Sequence, residues 1–216
     1  MKSSKLNRLL EFGFLLVSAI ALVAEEPVAS PTPAEEPAEV EIESPSPDGR
    51  FAFLSSFTPD ERTLDLIEKK SQKVLLRVAE SEQDSNRLDT EVLWAPDSKR
   101  FALMISVSRR SADVAVYGRS GDTFREIKLP ELPDPIIPDK LDRDKDHFWH
   151  VSESGWAKPV RWQKDGSLVV EIQTTIDGND NFAEAIRTVV LGFDKSGKAK
   201  ILKSTQKVRS HIKPEN

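Results

Sequence analysis

The sequence predicts an all-β fold of antiparallel four-stranded meanders, and three observations carry that prediction. A turn phrase recurs: Ser46-Pro47-Asp48-Gly49-Arg50-Phe51-Ala52-Phe53-Leu54 returns as Ala95-Pro96-Asp97-Ser98-Lys99-Arg100-Phe101-Ala102-Leu103-Met104, with a weaker echo in Gln163-Lys164-Asp165-Gly166-Ser167-Leu168-Val169-Val170. Around each copy, apolar residues alternate at period two between clusters of Pro, Gly, Asp and Ser, the pattern of half-buried strands joined by tight turns. Each unit holds about four such strands in about 40 residues.

Residues 1–24 precede the fold. Lys2, Lys5 and Arg8 form a basic head, and Phe12 to Ala24 is an apolar run broken only by Gly13 and Ser18. Ala19-Ile20-Ala21 and Leu22-Val23-Ala24 each offer a small-residue cleavage site. This is the pattern of a secretory signal peptide, and the run is shorter than the roughly 20 residues a membrane-spanning helix needs. The expectation is export to the periplasm or the medium, with no membrane span after cleavage.

Residues 25–39 are mainly Glu, Pro and Ala, with no regular apolar spacing. Such a segment buries too little surface to offset its ordering entropy, so it reads as an acidic, disordered tether. The β pattern begins at Val40. In the first unit Val40 and Ile42 precede the Pro-Asp-Gly turn, Phe51 and Phe53 follow it, and Leu64, Leu66, Val74, Leu76 and Val78 supply two further strands. The second runs through Val92, Trp94, Phe101, Leu103, Ile105, Val114, Val116, Phe124, Ile127 and Leu129. The third has Val160, Trp162, Leu168, Val170, Ile172, Val189, Leu191, Phe193 and Ile201. Asp177 to Asn181 reads as a long hairpin loop.

Pro47-Asp48-Gly49-Arg50-Phe51-Ala52 and Trp94-Ala95-Pro96-Asp97-Ser98-Lys99-Arg100-Phe101-Ala102 resemble the repeat signature of TolB-type β-propellers, a Pro-Asp relative of the WD-dipeptide blades. The turn needs Pro for its fixed φ, Asp to bond its own backbone and Gly for positive φ. The resemblance covers residues 44–129 well and 158–204 loosely. It implies three propeller-like blades, at about residues 40–78, 90–129 and 158–204, with an insertion at 130–157 and a flexible tail at 205–216. Closed propellers have about 4–8 blades, so three imply a partial or open propeller. Either two chains complete one ring as a homodimer, or irregular segments such as Pro130 to Pro138 cap the open sheets. A fold of this kind says nothing of function by itself.

Composition narrows the function classes. The 216 residues contain no cysteine, which excludes disulfides, a thiol nucleophile and a thiolate metal site. Residues 25–47 hold seven Glu and no Lys or Arg, which leaves 28 basic against 28 acidic residues from Asp48 onward. A neutral domain has no electrostatic footprint for nucleic acid. The chain has no G-x-S-x-G, H-E-x-x-H, phosphate-cradling or dinucleotide motif, so no enzyme is expected.

The candidate site residues cluster in the insertion. Asp142, Asp144, Asp146 and Glu153 stand at the first, third, fifth and twelfth positions of a calcium-loop spacing, although His147 occupies the position that loop reserves for Gly. Calcium is therefore the alternative to no cofactor at all. His147, His150 and Glu153 would share one face of a helix and offer nitrogen and oxygen ligands. Phe148, Trp149 and Trp156 fall outside the repeat and are free to serve a partner, whereas Trp94 and Trp162 hold matching repeat positions and read as core. The resulting expectation is an exported binding or scaffold module that meets a protein or envelope component through Phe148, Trp149, His150, Trp156 and the 142–153 loop.

Overall fold

In a computed structural model, which describes residues 39–58, 61–82, 90–108, 110–138, 150–178 and 181–211, twelve strands form three antiparallel meanders. The first blade is β1 (Glu39–Glu43), β2 (Phe51–Phe57), β3 (Glu61–Glu68) and β4 (Lys73–Glu82), hydrogen-bonded in that order. The second is β5 (Thr90–Trp94), β6 (Arg100–Ser108), β7 (Ser111–Ser120) and β8 (Thr123–Glu126). The third is β9 (His150–Trp162), β10 (Leu168–Gly178), β11 (Asn181–Phe193) and β12 (Ala199–His211). The fold is all-β, and the three propeller-like blades form an open stack. A single parallel bridge, Ala112 to Trp156, joins the second blade to the third.

The recurrent phrase builds the first hairpin of each blade. Gly49, Ser98 and Gly166 all take positive φ (71°, 56° and 79°), and each donates its N–H to the carbonyl of the first turn residue, Ser46, Ala95 or Gln163. The Asp side chains then accept the N–H two residues ahead: Asp48 from Arg50, Asp97 from Lys99, Asp165 from Ser167. That is the Asx-turn chemistry for which the phrase selects.

The structure corrects the register of the phrase. Matching Phe51-Ala52 with Phe101-Ala102 requires a one-residue gap, but the hairpins close without one: Ser46 N–H bonds the Phe51 carbonyl at 2.9 Å and Ala95 N–H bonds the Arg100 carbonyl at 2.8 Å. Phe51 therefore corresponds to Arg100, and Ala52 to Phe101. A one-residue slip moves every side chain to the other face of its sheet. Phe51 and Phe53 face the second blade, and Phe101 and Leu103 face back toward the first, so both sets fall in one buried cluster with Leu64, Leu66, Tyr117 and Phe124. Phe53 and Phe101 meet edge to face at 5.1 Å, and Trp94 packs against both. Aromatic pairs of this geometry add about 0.5–1.5 kcal/mol each beyond the area they bury.

The second junction is aliphatic. Ala102 and Val116 from the second blade meet Leu168, Val170, Ile172, Val189 and Leu191 from the third. Arg100, turned toward the third blade as its register requires, lies over the rings of Trp162 and Phe193 at 5.0 and 4.9 Å.

Two indoles tie neighbouring blades together. Trp94 Nε1–H donates to the Ser44 carbonyl at 2.8 Å and Trp162 Nε1–H donates to the Leu93 carbonyl at 2.9 Å. In both cases the acceptor stands two residues before the turn of the preceding blade. The equivalent position in the first blade is Pro45, which has no donor to offer.

Three further expectations change. Residues 205–211 belong to β12, paired with β11 as far as His211 opposite Phe182, so no flexible tail begins at 205. Alternation continues through this lysine-rich stretch, and the 13-residue β11 offers a full-length partner. The third blade starts at His150, inside the expected insertion, because β9 pairs with the equally extended β10. Finally, Gly178 pairs with Asn181, so the second polar insertion is a tight hairpin and not a long loop.

The proline-rich segment straps the third blade on the face that carries Ile176 and Ala183 and turns toward the second blade, and not on an open outer face as capping would require. Ile136 donates its N–H to Gln206 Oε1 at 2.9 Å and accepts from Gln206 Nε2 at 2.8 Å. Arg187 Nε bonds the Asp134 carbonyl, Leu132 joins the second core cluster, and Ile137 covers Ile176 and Ala183. Proline fits here because an extended strap needs no ladder hydrogen bonds of its own.

Candidate functional site

The clearest recess among the described residues lies between the first and second blades. Along β1, period-two alternation sends Val40 and Ile42 to one face of the sheet and Glu39, Glu41 and Glu43 to the other. Glu41 and Glu43 thus turn toward the second blade, whose β5 borders the recess at Thr90 and Glu91, Glu91 lying on the strand face that carries Leu93 and turns to the third blade. Together they border a groove of about 410 Å³ whose wall also includes Ser55, Phe57, Arg62, Thr90 and Met104.

The groove is anionic. The carboxylates of Glu41 and Glu43 share its wall with the guanidinium of Arg62, which lies over the Phe57 ring at 5.1 Å. Ser55 Oγ donates to Glu43 Oε1 at 2.5 Å, which fixes that carboxylate and leaves its other oxygen free of the hydroxyl. Glu41 and Glu43 stand two residues apart on one strand face, so their spacing is set by the β1 backbone. Such an arrangement suits a cationic group carrying several N–H donors, since carboxylates offer strong charge-assisted acceptors.

A second recess, of about 370 Å³, lies beside Asp113, Tyr117, Glu126, Leu132 and Ala157. Burial pushes the Tyr117 hydroxyl up from its ordinary pKa, and the charge of Glu126 adds to the effect. The Tyr117 ring stacks on Phe101 at 4.8 Å, which gives it a packing role.

The residues singled out in the insertion fare differently. Asp142, Asp144, Asp146, His147, Phe148 and Trp149 lie outside the described residues. His150 and Glu153 lie in β9, where the chain is extended, so the face-sharing of residues three apart that a helix would give does not apply to them. Trp156 sits in the same strand, half-buried, opposite Gln173 on one side and Ala112 on the other. Among the described residues no group of three or more His, Asp or Glu gathers as metal ligands would. No helix among them is long and apolar enough to cross a membrane.

Glu41, Glu43 and Glu91 were not singled out from the sequence. The alternation Glu39-Val40-Glu41-Ile42-Glu43 does show three acids sharing a strand face, but the recess that Glu41 and Glu43 border depends on how two blades stack.

No family model matches this chain, and no curated protein sequence does. Solved structures do match. A structure from a study of two prolyl endopeptidases aligns at 13% identity with a TM-score of 0.35, covering 76% of this chain and 28% of that one. A TolB from Agrobacterium tumefaciens aligns at 11% identity and a TM-score of 0.34, over 82% of this chain and 60% of the other. An uncharacterised protein of Listeria monocytogenes aligns at 11% identity and a TM-score of 0.31, over 74% and 55%. This chain thus spans less than two thirds of each of these proteins.

Proposed function

We propose that this chain is an exported, non-catalytic binding module of the cell envelope, and that the groove between its first two blades takes a positively charged group of a protein partner. The observation that carries the reading is the placing of Glu41 and Glu43 on one face of β1, along a recess that Glu91 also borders and with a single Arg in its wall. The β1–β2 ladder holds Glu41 and Glu43 and Ser55 fixes Glu43, so they need little reorganisation to receive a cation, and preorganisation of this kind lowers the cost of binding. The basic, then apolar, first 24 residues support export. The absence of any recognised catalytic motif in the sequence supports recognition over chemistry.

A lysine-rich peptide titrated calorimetrically into the full chain tests the groove. The triple variant Glu41→Gln, Glu43→Gln, Glu91→Gln should bind at least tenfold more weakly. A control that neutralises Glu68, Asp122 and Asp194, three acids away from the groove, should bind normally. Equal losses in both variants would show attraction by overall charge alone and reject the groove.

A further inference from the structure

The two ends of the blade stack carry unlike faces, and the difference identifies what closes them. On the outward face of the first blade, Val40, Ile42 and Val74 are 54%, 50% and 49% exposed and Leu54 is half-buried, whereas Ala52, Thr63, Asp65 and Ile67 on the same face are buried. This is the side each later blade uses to stack on its predecessor: Ala52 corresponds to Phe101, which packs back onto the first blade. Beside this apolar patch the sheet is acidic. Arg77 is shared by Asp65, Glu61 and Glu80, three carboxylates to one guanidinium.

The outward face of the third blade has the opposite sign. The register of β12 against β11 puts Lys203, Lys207 and Arg209 on that face, opposite Val190, Ile186 and Glu184. From β9, Lys158 and Arg161 join them through their pairing with Glu171 and Val169. Glu184 is 5% exposed and neutralises Arg209 while accepting from Gln173 Nε2, so Lys203, Lys207, Lys158 and Arg161 carry the charge of this face against Glu171. Leu202, 52% exposed, adds an apolar contact.

We infer that a second copy of this chain covers these faces. The basic face of the third blade in one copy stacks on the acidic, apolar face of the first blade in the other, and two such contacts close a ring of six blades. Like strands align at the internal junctions: Thr123 of β8 donates to the Leu75 carbonyl of β4, and Trp162 of β9 to the Leu93 carbonyl of β5. By the same alignment β12 meets β4, which sets Lys203 and Lys207 against Glu80 and Glu61. Pairing two first blades face to face would instead bring the same acids together. An indole bond like those inside the chain is missing at this junction, because Pro45 stands where Trp94 and Trp162 stand. Charge consequently carries much of the contact, and exposed charge pairs weaken with salt. The contact is heterologous but closes on itself after two copies, so no open filament results.

The mass of the purified full chain by light scattering, over a range of concentration and ionic strength, tests this. The expected result is a two-chain particle at low salt that dissociates as salt rises. Lys207→Glu and Glu80→Lys should each weaken the dimer at least tenfold, and the double variant should recover most of the loss. A one-chain mass at every concentration and salt would overturn the inference. So would a dimer that both single reversals leave intact, or one lost in Ile42→Arg but kept in Lys207→Glu, which would mean pairing of first blades. Circular dichroism of each variant confirms that a changed mass reflects association and not unfolding.

Discussion

The indole N–H of Trp94 donates to the backbone carbonyl of Ser44, 2.8 Å away and in the preceding blade. Ser44 takes positive φ (49°) just before Pro45, and its carbonyl receives that indole as β1 leaves the sheet. The same relation recurs one blade later between Trp162 and Leu93. A propeller-like stack has no continuous hydrogen-bonded ladder across its blades, so a bond of this kind sets the relative position of two sheets.

Trp94→Phe keeps an aromatic ring in the cluster but removes the donor and part of the indole's volume. It should destabilise the protein by about 1–3 kcal/mol, the cost of leaving a part-buried carbonyl unpaired. Trp94→Ala should cost more, about 3–5 kcal/mol, because it also opens a cavity beside Phe51, Phe53 and Phe101. Urea unfolding followed by circular dichroism reads both values, and equal stability of wild type and Trp94→Phe would remove the bond from the account.

Ser98 occupies the position where the first and third blades use Gly. Its φ of 56° strains a residue with a Cβ, yet its Oγ accepts the N–H of Asp48 at 3.0 Å across the blade junction. Ser98→Gly trades the bond for relief of strain and should change stability by less than about 1 kcal/mol. Ser98→Ala keeps the strain and loses the bond, and should cost about 1–2 kcal/mol. Melting temperatures should rank Gly above Ala, and the reverse order would show that the left-handed φ at this position costs little.

Arg100 stands in the way of a side chain at Gly166. A Cβ there would fall 2.8 Å from Arg100 Nη2, whereas one at Gly197 would meet nothing within 4 Å. Both glycines have left-handed φ, 79° and 84°, so alanine at either costs about 1 kcal/mol of backbone strain. Gly166→Ala should cost roughly 1 kcal/mol beyond that by displacing Arg100 from Trp162 and Phe193. Equal destabilisation of the two variants would mean that the guanidinium moves aside freely.

The turn aspartates make part of the stability depend on pH. Hydrogen bonds from the Ser167 hydroxyl and N–H hold Asp165 below its ordinary 3.8, and bonds from the Ser196 hydroxyl and the Lys198 and Ser196 N–H groups do the same for Asp194. For Asp48, burial alone would raise the value, but the Ser46 hydroxyl and the Arg50 N–H outweigh it. A carboxylate whose pKa falls on folding stabilises above its unfolded value, and that contribution is lost as pH drops through 3.8 toward the folded value. The stability gap between wild type and Asp165→Ala should therefore be constant from pH 7 to about 5 and shrink at pH 3 and below. A gap that stays constant to pH 2 would show that the hydrogen bonds favour both protonation states equally.

Much of the architecture was determined by sequence alone. Alternation and turn residues act within about ten positions of each other, so Pro47-Asp48-Gly49 and its echoes announced the hairpins, and the spacing of the echoes announced three four-stranded units. Local chemistry also marked Pro130 to Pro138 as unable to join a sheet. What lay further apart could not be read this way. Whether Phe51 matches Phe101 or Arg100 depends on a single hydrogen bond that closes each turn, and that one position decides which side chains face which blade. The lysines after Lys200 became a strand because β11 is long enough to pair with them. The recess between the first two blades, and the opposite charges of the two end faces, belong to the tertiary structure alone. They arise from sheets stacked through contacts some fifty residues apart, such as Trp94 to Ser44, a separation at which periodicity carries no information.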